Sequence, residues 1–200
     1  MPVELRLSGR LTLVGAIVAV LLSASSALAG ASEDCAVAND QFDYTEALRL
    51  CRPLAEQGED VAQTTLGLMY EHGEGVPQDY AEAVKWYGKA AEHGDARAQI
   101  ELAIMYEDGR GGLGQDDAEA AKWYRKAAEQ GNVDAQATLG FRYERGQGVS
   151  QDYVLAHMWL SLAAAKGYPC ADKRDKLAAK MSPDRIAEAQ RLAREWKPTR

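Results

Sequence analysis

Six side chains of the sequence could bind a metal ion or form a nucleophile with its base: Cys35, Cys51, Cys170, His72, His93 and His157. None of the histidines belongs to an HExxH motif, the helical spacing that holds zinc in metalloproteases. A thiol nucleophile with a histidine base could be drawn from Cys170 and His157, but nothing in their spacing supports it. We therefore predict no metal site, no cofactor and no catalytic residue, and we expect that the protein is not an enzyme.

The N-terminus indicates export, which gives the cysteines another possible role. Arg6 and Arg10 precede an apolar run over 11–22, and the small-residue box Ala27-Leu28-Ala29 follows. This order is typical of a secretory signal peptide, and the run is short of the ~20 residues that span a membrane. We predict a signal peptide over 1–29, a periplasmic or secreted location, and no stable membrane insertion after cleavage. An oxidising compartment permits disulfides.

The composition limits the class of partner. The chain has 200 residues, with 23 basic and 30 acidic side chains and a formal net charge of −7. Nucleic-acid binding requires a basic surface that replaces the counterions of the phosphates, so we predict no nucleic-acid partner. A hydrophobic content of 46% is enough for a buried core.

One pattern of glycines, aromatic residues and alanine pairs occurs three times. Its tyrosine lies at Tyr70, Tyr106 and Tyr143, and its tryptophan at Trp86, Trp123 and Trp159. A half copy precedes the array from Asp43. Internal repetition at this period is typical of helical repeat proteins, in which neighbouring repeats bury a shared core.

Each copy predicts a hairpin of two helices, A and B. Apolar residues at helical spacing form helix A, and Gly73 ends it because glycine adopts the left-handed backbone of a helix C-cap. Helix B begins after Asp79, and Glu82 three residues later completes a capping-box pattern. The short loops make the two helices antiparallel neighbours.

These residues resemble the Sel-one-like repeat family, relatives of the tetratricopeptide repeats. The pattern AxxxLGxxYxxGxGVxxDxxxAxxWxxxAAxxG is matched nearly in full at 62–94 and 135–167, and the C-terminal part resembles the cap of exported bacterial members. The resemblance implies an all-α protein, a right-handed α-solenoid of antiparallel helical hairpins. It divides the mature chain into an N-terminal segment with a short helix (30–42), the solenoid of three repeats plus a half repeat (43–168) and a C-terminal helical cap (169–200).

Two functions follow from the resemblance. The first is an exported module, an adaptor or regulator that scaffolds a protein or peptide and has no chemistry of its own. The alternative is an envelope hydrolase of β-lactamase-like or cell-wall-acting type, since some cysteine-rich members of the family have been described as β-lactamase-like. The sequence contains neither the Ser-x-x-Lys nor the Lys-Thr-Gly motif of those enzymes.

Two rows of helix A residues are the candidate partner-binding site. By analogy with tetratricopeptide hairpins, helix A lines the concave surface. The apolar row consists of Leu68, Ile104 and Phe141, and the acidic row consists of Glu71, Glu107 and Glu144. We expect the apolar row to anchor a polypeptide and the acidic row to select basic flanks, although the apolar row could equally pack against the adjacent hairpin.

The spacing of two cysteines predicts a disulfide at the N-terminal edge. The turn near Gln41–Asp43 lies at about the midpoint between Cys35 and Cys51, so an antiparallel hairpin places them opposite each other. We expect a Cys35–Cys51 disulfide and a free Cys170. The alternative is a pair of buried free thiols, a common state of cysteine in protein cores.

Overall fold

A computed structural model describes residues 30–199, and every regular element in that range is an α-helix. The first helix, α1, covers 30–40 of the described residues. The others are α2 (Tyr44–Glu56), α3 (Asp60–His72), α4 (Tyr80–His93), α5 (Ala96–Asp108), α6 (Asp117–Glu129), α7 (Val133–Arg145), α8 (Tyr153–Ala165), α9 (Ala171–Ala178) and α10 (Pro183–Glu195). The predicted signal peptide, 1–29, lies outside the described residues.

The helices pack in chain order, as the prediction of an all-α solenoid requires. The hairpins α3–α4, α5–α6 and α7–α8 are the three repeats, and each packs on the next through α4–α5 and α6–α7. The α2 helix covers α3 at one end, and α9 and α10 cover α8 at the other. The all-helical repeat fold is confirmed. Within the described residues, no helix is long and apolar enough to cross a bilayer.

The caps of the B helices correct one detail of the sequence analysis. The Asp79 carboxylate accepts hydrogen bonds from the backbone N–H groups of Ala81 and Glu82, as predicted. The Glu82 carboxylate does not complete the capping box, since it pairs with Lys85 at 3.0 Å. The reason is that the Asp79 N–H already donates to the Tyr70 carbonyl. The loop thus takes the donor that the glutamate would need.

Close packing between repeats depends on glycine in the hairpin loops. At Gly148, with φ of +67°, a Cβ atom would lie 1.8 Å from the Asp117 carbonyl oxygen. The loop of the third repeat therefore lies directly on the N-terminus of α6. Within a hairpin, Gly67 has the same role, because its missing side chain leaves room for the Tyr87 ring. Small residues thus set the distances within and between repeats.

The N-terminal hairpin contains a disulfide. Cys35 of α1 and Cys51 of α2 are bonded, with their Cα atoms 5.1 Å apart, and both side chains are fully buried. The bond joins the two helices that lie farthest from the C-terminal cap. Cys170 is a buried free thiol whose Sγ donates to the Leu160 carbonyl at 3.3 Å.

The C-terminal cap ends in an extended tail that runs back over the repeats. Trp196 follows α10 with an extended backbone, and its ring packs edge-to-face on Trp159, with centroids 6.1 Å apart. Three residues later, the Thr199 N–H donates to the Glu129 carbonyl at the end of α6, at 2.8 Å. The tail therefore reaches past α8 to the preceding repeat.

Candidate functional site

The apolar row is covered to different degrees along the solenoid. Leu68 is 9% exposed and packs in a cluster that contains the Tyr87 ring and Leu102 of the next repeat. Ile104 and Phe141 are only partly buried, against clusters that contain Tyr124 and Cys170 respectively. The row is therefore closed at α3 and partly open at α5 and α7.

The acidic row is hydrogen-bonded to the B helices of the same hairpins. The Tyr87 hydroxyl donates to the Glu71 carboxylate at 2.8 Å, and the Tyr124 hydroxyl donates to Glu107 at 2.7 Å. Burial and the hydrogen bond to Glu71 raise the pKa of Tyr87, so this phenol remains a donor. The third copy has Leu160 at the tyrosine position, and Glu144 pairs instead with Lys173 of α9 at 3.2 Å.

Arginines from the following repeat also neutralise the first two members of the acidic row. Arg110, in the loop after α5, lies 3.4 Å from Glu71. Arg142 of α7 pairs with Glu107, and its side chain is 2% exposed. Its guanidinium also donates to the backbone carbonyls of Asp117 and Gln147, both at 3.3 Å. Glu71 and Glu107 are thus part of the contacts that join successive repeats.

These partners could not be predicted from the repetition because they do not occupy one repeat position. Arg110 lies in the longer loop of the second repeat, Arg142 replaces the methionine of the other copies, and Lys173 belongs to the cap. The available signal is the positive charge of Arg142 at a position where the other copies have the neutral Met69 and Met105. A buried cation in an otherwise apolar position indicates a nearby carboxylate.

Glu101 of α5 is the carboxylate on this surface that has no such partner. Among the described residues no hydrogen bond or ion pair reaches it, and it is only partly exposed. Burial raises its pKa, the charge of Glu71 raises it further, and Arg97 and His72 oppose the shift. A desolvated carboxylate of this kind is stabilised by any cation that approaches it from outside.

The described residues provide no metal site. No group of three or more histidine, cysteine, aspartate or glutamate side chains in 30–199 is arranged to hold a metal ion. Of the residues considered for thiol chemistry, Cys170 has a pKa that burial raises, which disfavours the reactive thiolate.

The stacked helical hairpins define this protein as an α-solenoid repeat protein. The Sel1 repeat model matches residues 60–95, 96–132 and 133–168, more than half of the chain. The chain belongs to the Sel1 repeat family, which confirms the resemblance seen in the sequence. Proteins of this family typically mediate protein–protein interaction. Among curated proteins, no sequence matches this chain.

Solved structures with similar folds include bacterial repeat proteins. The crystal structure of c5321, a protective antigen of uropathogenic Escherichia coli with an SLR fold, is 42% identical over 76% of this chain, with a TM-score of 0.65. The match covers 33% of that protein, so this chain spans about a third of its length. A Sel1 repeat protein from Oxalobacter formigenes is 42% identical over 64% of this chain and 95% of its own, with a TM-score of 0.59.

Helicobacter pylori cysteine-rich protein B is similar in fold alone. It is 20% identical over 70% of this chain and 95% of its own, with a TM-score of 0.50. Neither the family match nor these structures support the alternative of an envelope hydrolase.

Proposed function

We propose that this protein is an exported adaptor or regulator that binds a protein or peptide through the surface formed by the apolar row and Glu101. The observation that carries the proposal is the combination of two half-buried apolar side chains, Ile104 and Phe141, with a desolvated carboxylate that has no partner in the described residues. Apolar anchors next to a carboxylate without a direct ion pair provide both affinity and selectivity.

The preferred partner is a segment with apolar anchors and a basic side chain. A lysine or arginine placed at Glu101 would replace the water that this carboxylate has lost, while Ile104 and Phe141 would bury apolar side chains. Glu71 and Glu107 contribute less to this selection than the sequence alone suggests, since Arg110 and Arg142 already pair with them. Glu144 has a similar contact with Lys173.

Export is supported by two independent features. The N-terminal sequence up to Ala29 has the order of a signal peptide. The Cys35–Cys51 disulfide is of the kind that persists outside the reducing cytosol. Fractionation of producing cells, followed by N-terminal sequencing, should give a protein that begins at Gly30. A protein that retains Met1 in the membrane fraction would contradict export in soluble form.

Site-specific photo-crosslinking tests the binding surface. A photoreactive amino acid is placed at Ile104 or, as the control, at Lys122, an exposed residue of α6. The first position should give a specific polypeptide adduct in envelope extract, and the control should not. The same adduct should fade when Phe141→Ala is added, since loss of an anchor weakens binding by about 1 kcal/mol or more. Adducts of equal yield at both positions, or no loss with F141A in a folded protein, would move the site elsewhere.

A further inference from the structure

The C-terminal tail is a ligand that the chain supplies to itself. At its site, Trp196 lies against Trp159, and Thr199 donates to the C-terminal carbonyl of α6, as described above. Lys166 completes the site, with its Nζ atom 5.9 Å from the Trp196 ring centroid and 2.6 Å from the Gly131 carbonyl oxygen, to which it donates. The tail thus uses one aromatic contact and one main-chain hydrogen bond.

Gly131 lies beneath the tail in this site, where it has no side chain to obstruct Trp196 and Pro198. It has φ of +91°, and a Cβ atom there would lie 3.6 Å from the Trp196 ring and 3.7 Å from Pro198. The turn between α6 and α7 therefore forms a shallow cradle that the tail crosses. We call this site the tail cradle; it consists of Gly131, Trp159, Lys166 and the Glu129 carbonyl.

The repeat places an equivalent cradle 36 or 37 residues earlier in the chain. Gly94 corresponds to Gly131, Trp123 to Trp159, Gln130 to Lys166, and Glu92 to Glu129. We call this site the open cradle. At Gly94, with φ of +105°, a Cβ atom would meet nothing within 4 Å. Among the described residues, no backbone N–H outside α4 donates to the Glu92 carbonyl.

A cavity overlaps the open cradle at Gly94 and Gln130. This cavity has a volume of about 310 Å³, and Thr199 of the tail forms one of its walls. Its other walls are His93, Gly94, Gln99, Lys126, Glu129 and Gln130. Lys126 covers the Trp123 ring, with Nζ 3.7 Å from the centroid. Trp123 is partly buried, and the flexible lysine side chain on its ring can be displaced by another group.

We infer that the open cradle binds an extended segment of a partner protein with the chemistry of the chain's own tail. Such a segment carries an aromatic residue that packs on Trp123 and, about three residues later, a backbone N–H that donates to the Glu92 carbonyl. The open cradle contains no residue of the apolar row and not Glu101, so binding there is tested independently of the proposed function of that surface.

Titration with the tail peptide tests this inference. The probe is a synthetic peptide with the sequence of residues 193–199, Ala-Arg-Glu-Trp-Lys-Pro-Thr, added to the isotope-labelled chain from Gly30. Because the tail cradle is already filled, the peptide should shift the amide resonances around Gly94. Replacing its tryptophan by alanine should weaken binding about tenfold, since a tryptophan ring buries a large apolar area.

A gain-of-function variant adds a second arm to the test. Gln130→Lys gives the open cradle the cation that Lys166 provides in the tail cradle, and it should tighten peptide binding severalfold. Gln115→Lys makes the same change of charge in an exposed loop and should leave binding unchanged. Resonance shifts confined to Gly131, no shift at millimolar peptide, or equal effects of the two lysine variants would each overturn the inference.

Discussion

Glu107→Gln is the substitution that separates the two kinds of contact made by the acidic row. Glutamine keeps an oxygen that accepts from the Tyr124 hydroxyl, but it removes the charge that compensates Arg142. Arg142 is 2% exposed, so its guanidinium would be left buried with two backbone carbonyls and the more distant Asp117 carboxylate, at 3.5 Å, as its remaining partners.

The size of the effect follows from the burial of the pair. Removal of one partner from a fully buried ion pair costs about 3–5 kcal/mol. Solvent screens part of the charge because the Glu107 side chain is 28% exposed, and Asp117 still lies 3.5 Å from Arg142. We therefore expect a loss of about 2–3 kcal/mol. For a chain of this length, such a loss lowers the melting temperature by roughly 4–12 °C.

Glu71→Gln is the matched control. It retains the acceptor for Tyr87, while its cation, Arg110, is 40% exposed and retains water when the charge is removed. We expect a loss of about 1 kcal/mol or less, as for exposed ion pairs. The double variant E107Q/R142M has at position 142 the methionine that the other repeats have at Met69 and Met105. It should recover most of the stability lost in E107Q.

Thermal and urea unfolding of the three variants measure these differences. The reasoning is refuted if E107Q and E71Q are equally stable, because the buried pair would then contribute no more than an exposed one. It is also refuted if R142M fails to rescue E107Q, since the cost would not arise from an uncompensated Arg142.

Three other predictions concern single groups. Glu101→Gln should stabilise the protein at pH 7, because a raised pKa means that the charged carboxylate is less stable in the folded than in the unfolded chain. In urea unfolding, the difference in stability between the variant and the original protein should vanish as the pH falls below the ordinary glutamate pKa. His157 is buried, and its pKa is lowered first by desolvation and then by Arg174, with Asp175 partly opposing the shift. The free energy of unfolding should therefore fall as the pH drops below the ordinary histidine pKa, and it should fall less in a folded His157→Gln variant. Replacing Cys51 by serine should destabilise the N-terminal hairpin by ~3 kcal/mol, seen as faster hydrogen exchange in α2, and equal exchange rates would contradict a stabilising disulfide.

The repeated features of the fold were predictable because repetition tests each position three times. Ala83, Ala120 and Ala156 recur at one position and are buried, and the aspartates before helix B recur and cap it. Such positions depend on neighbours within the same repeat or on identical neighbours in the next. Their environment is therefore encoded in the repeat itself.

The candidate site was harder to predict because its contacts join unlike positions. The glutamates of the acidic row are identical in sequence, yet their cations come from a loop, from α7 and from α9. Leu68 and Phe141 are likewise equivalent in sequence, but Leu68 meets a following repeat and Phe141 meets the cap. The residue types are evident from the sequence, whereas the burial of each side chain depends on whether a repeat or the cap follows it in the chain.

The hydrogen bond from Thr199 to Glu129 changes how the solenoid should unfold. In a linear array, each hairpin contacts its immediate neighbours, so the ends fray independently and cooperativity decays along the chain. The tail connects the cap to the second repeat across the third. Residues 133–199 are thereby held at both ends, at α6 and at the tail, so fraying of α10 requires the tail to be released from α6. The C-terminal half should exchange its amide hydrogens as one cooperative unit, while no comparable closure joins the described N-terminal hairpin to a repeat beyond its neighbour.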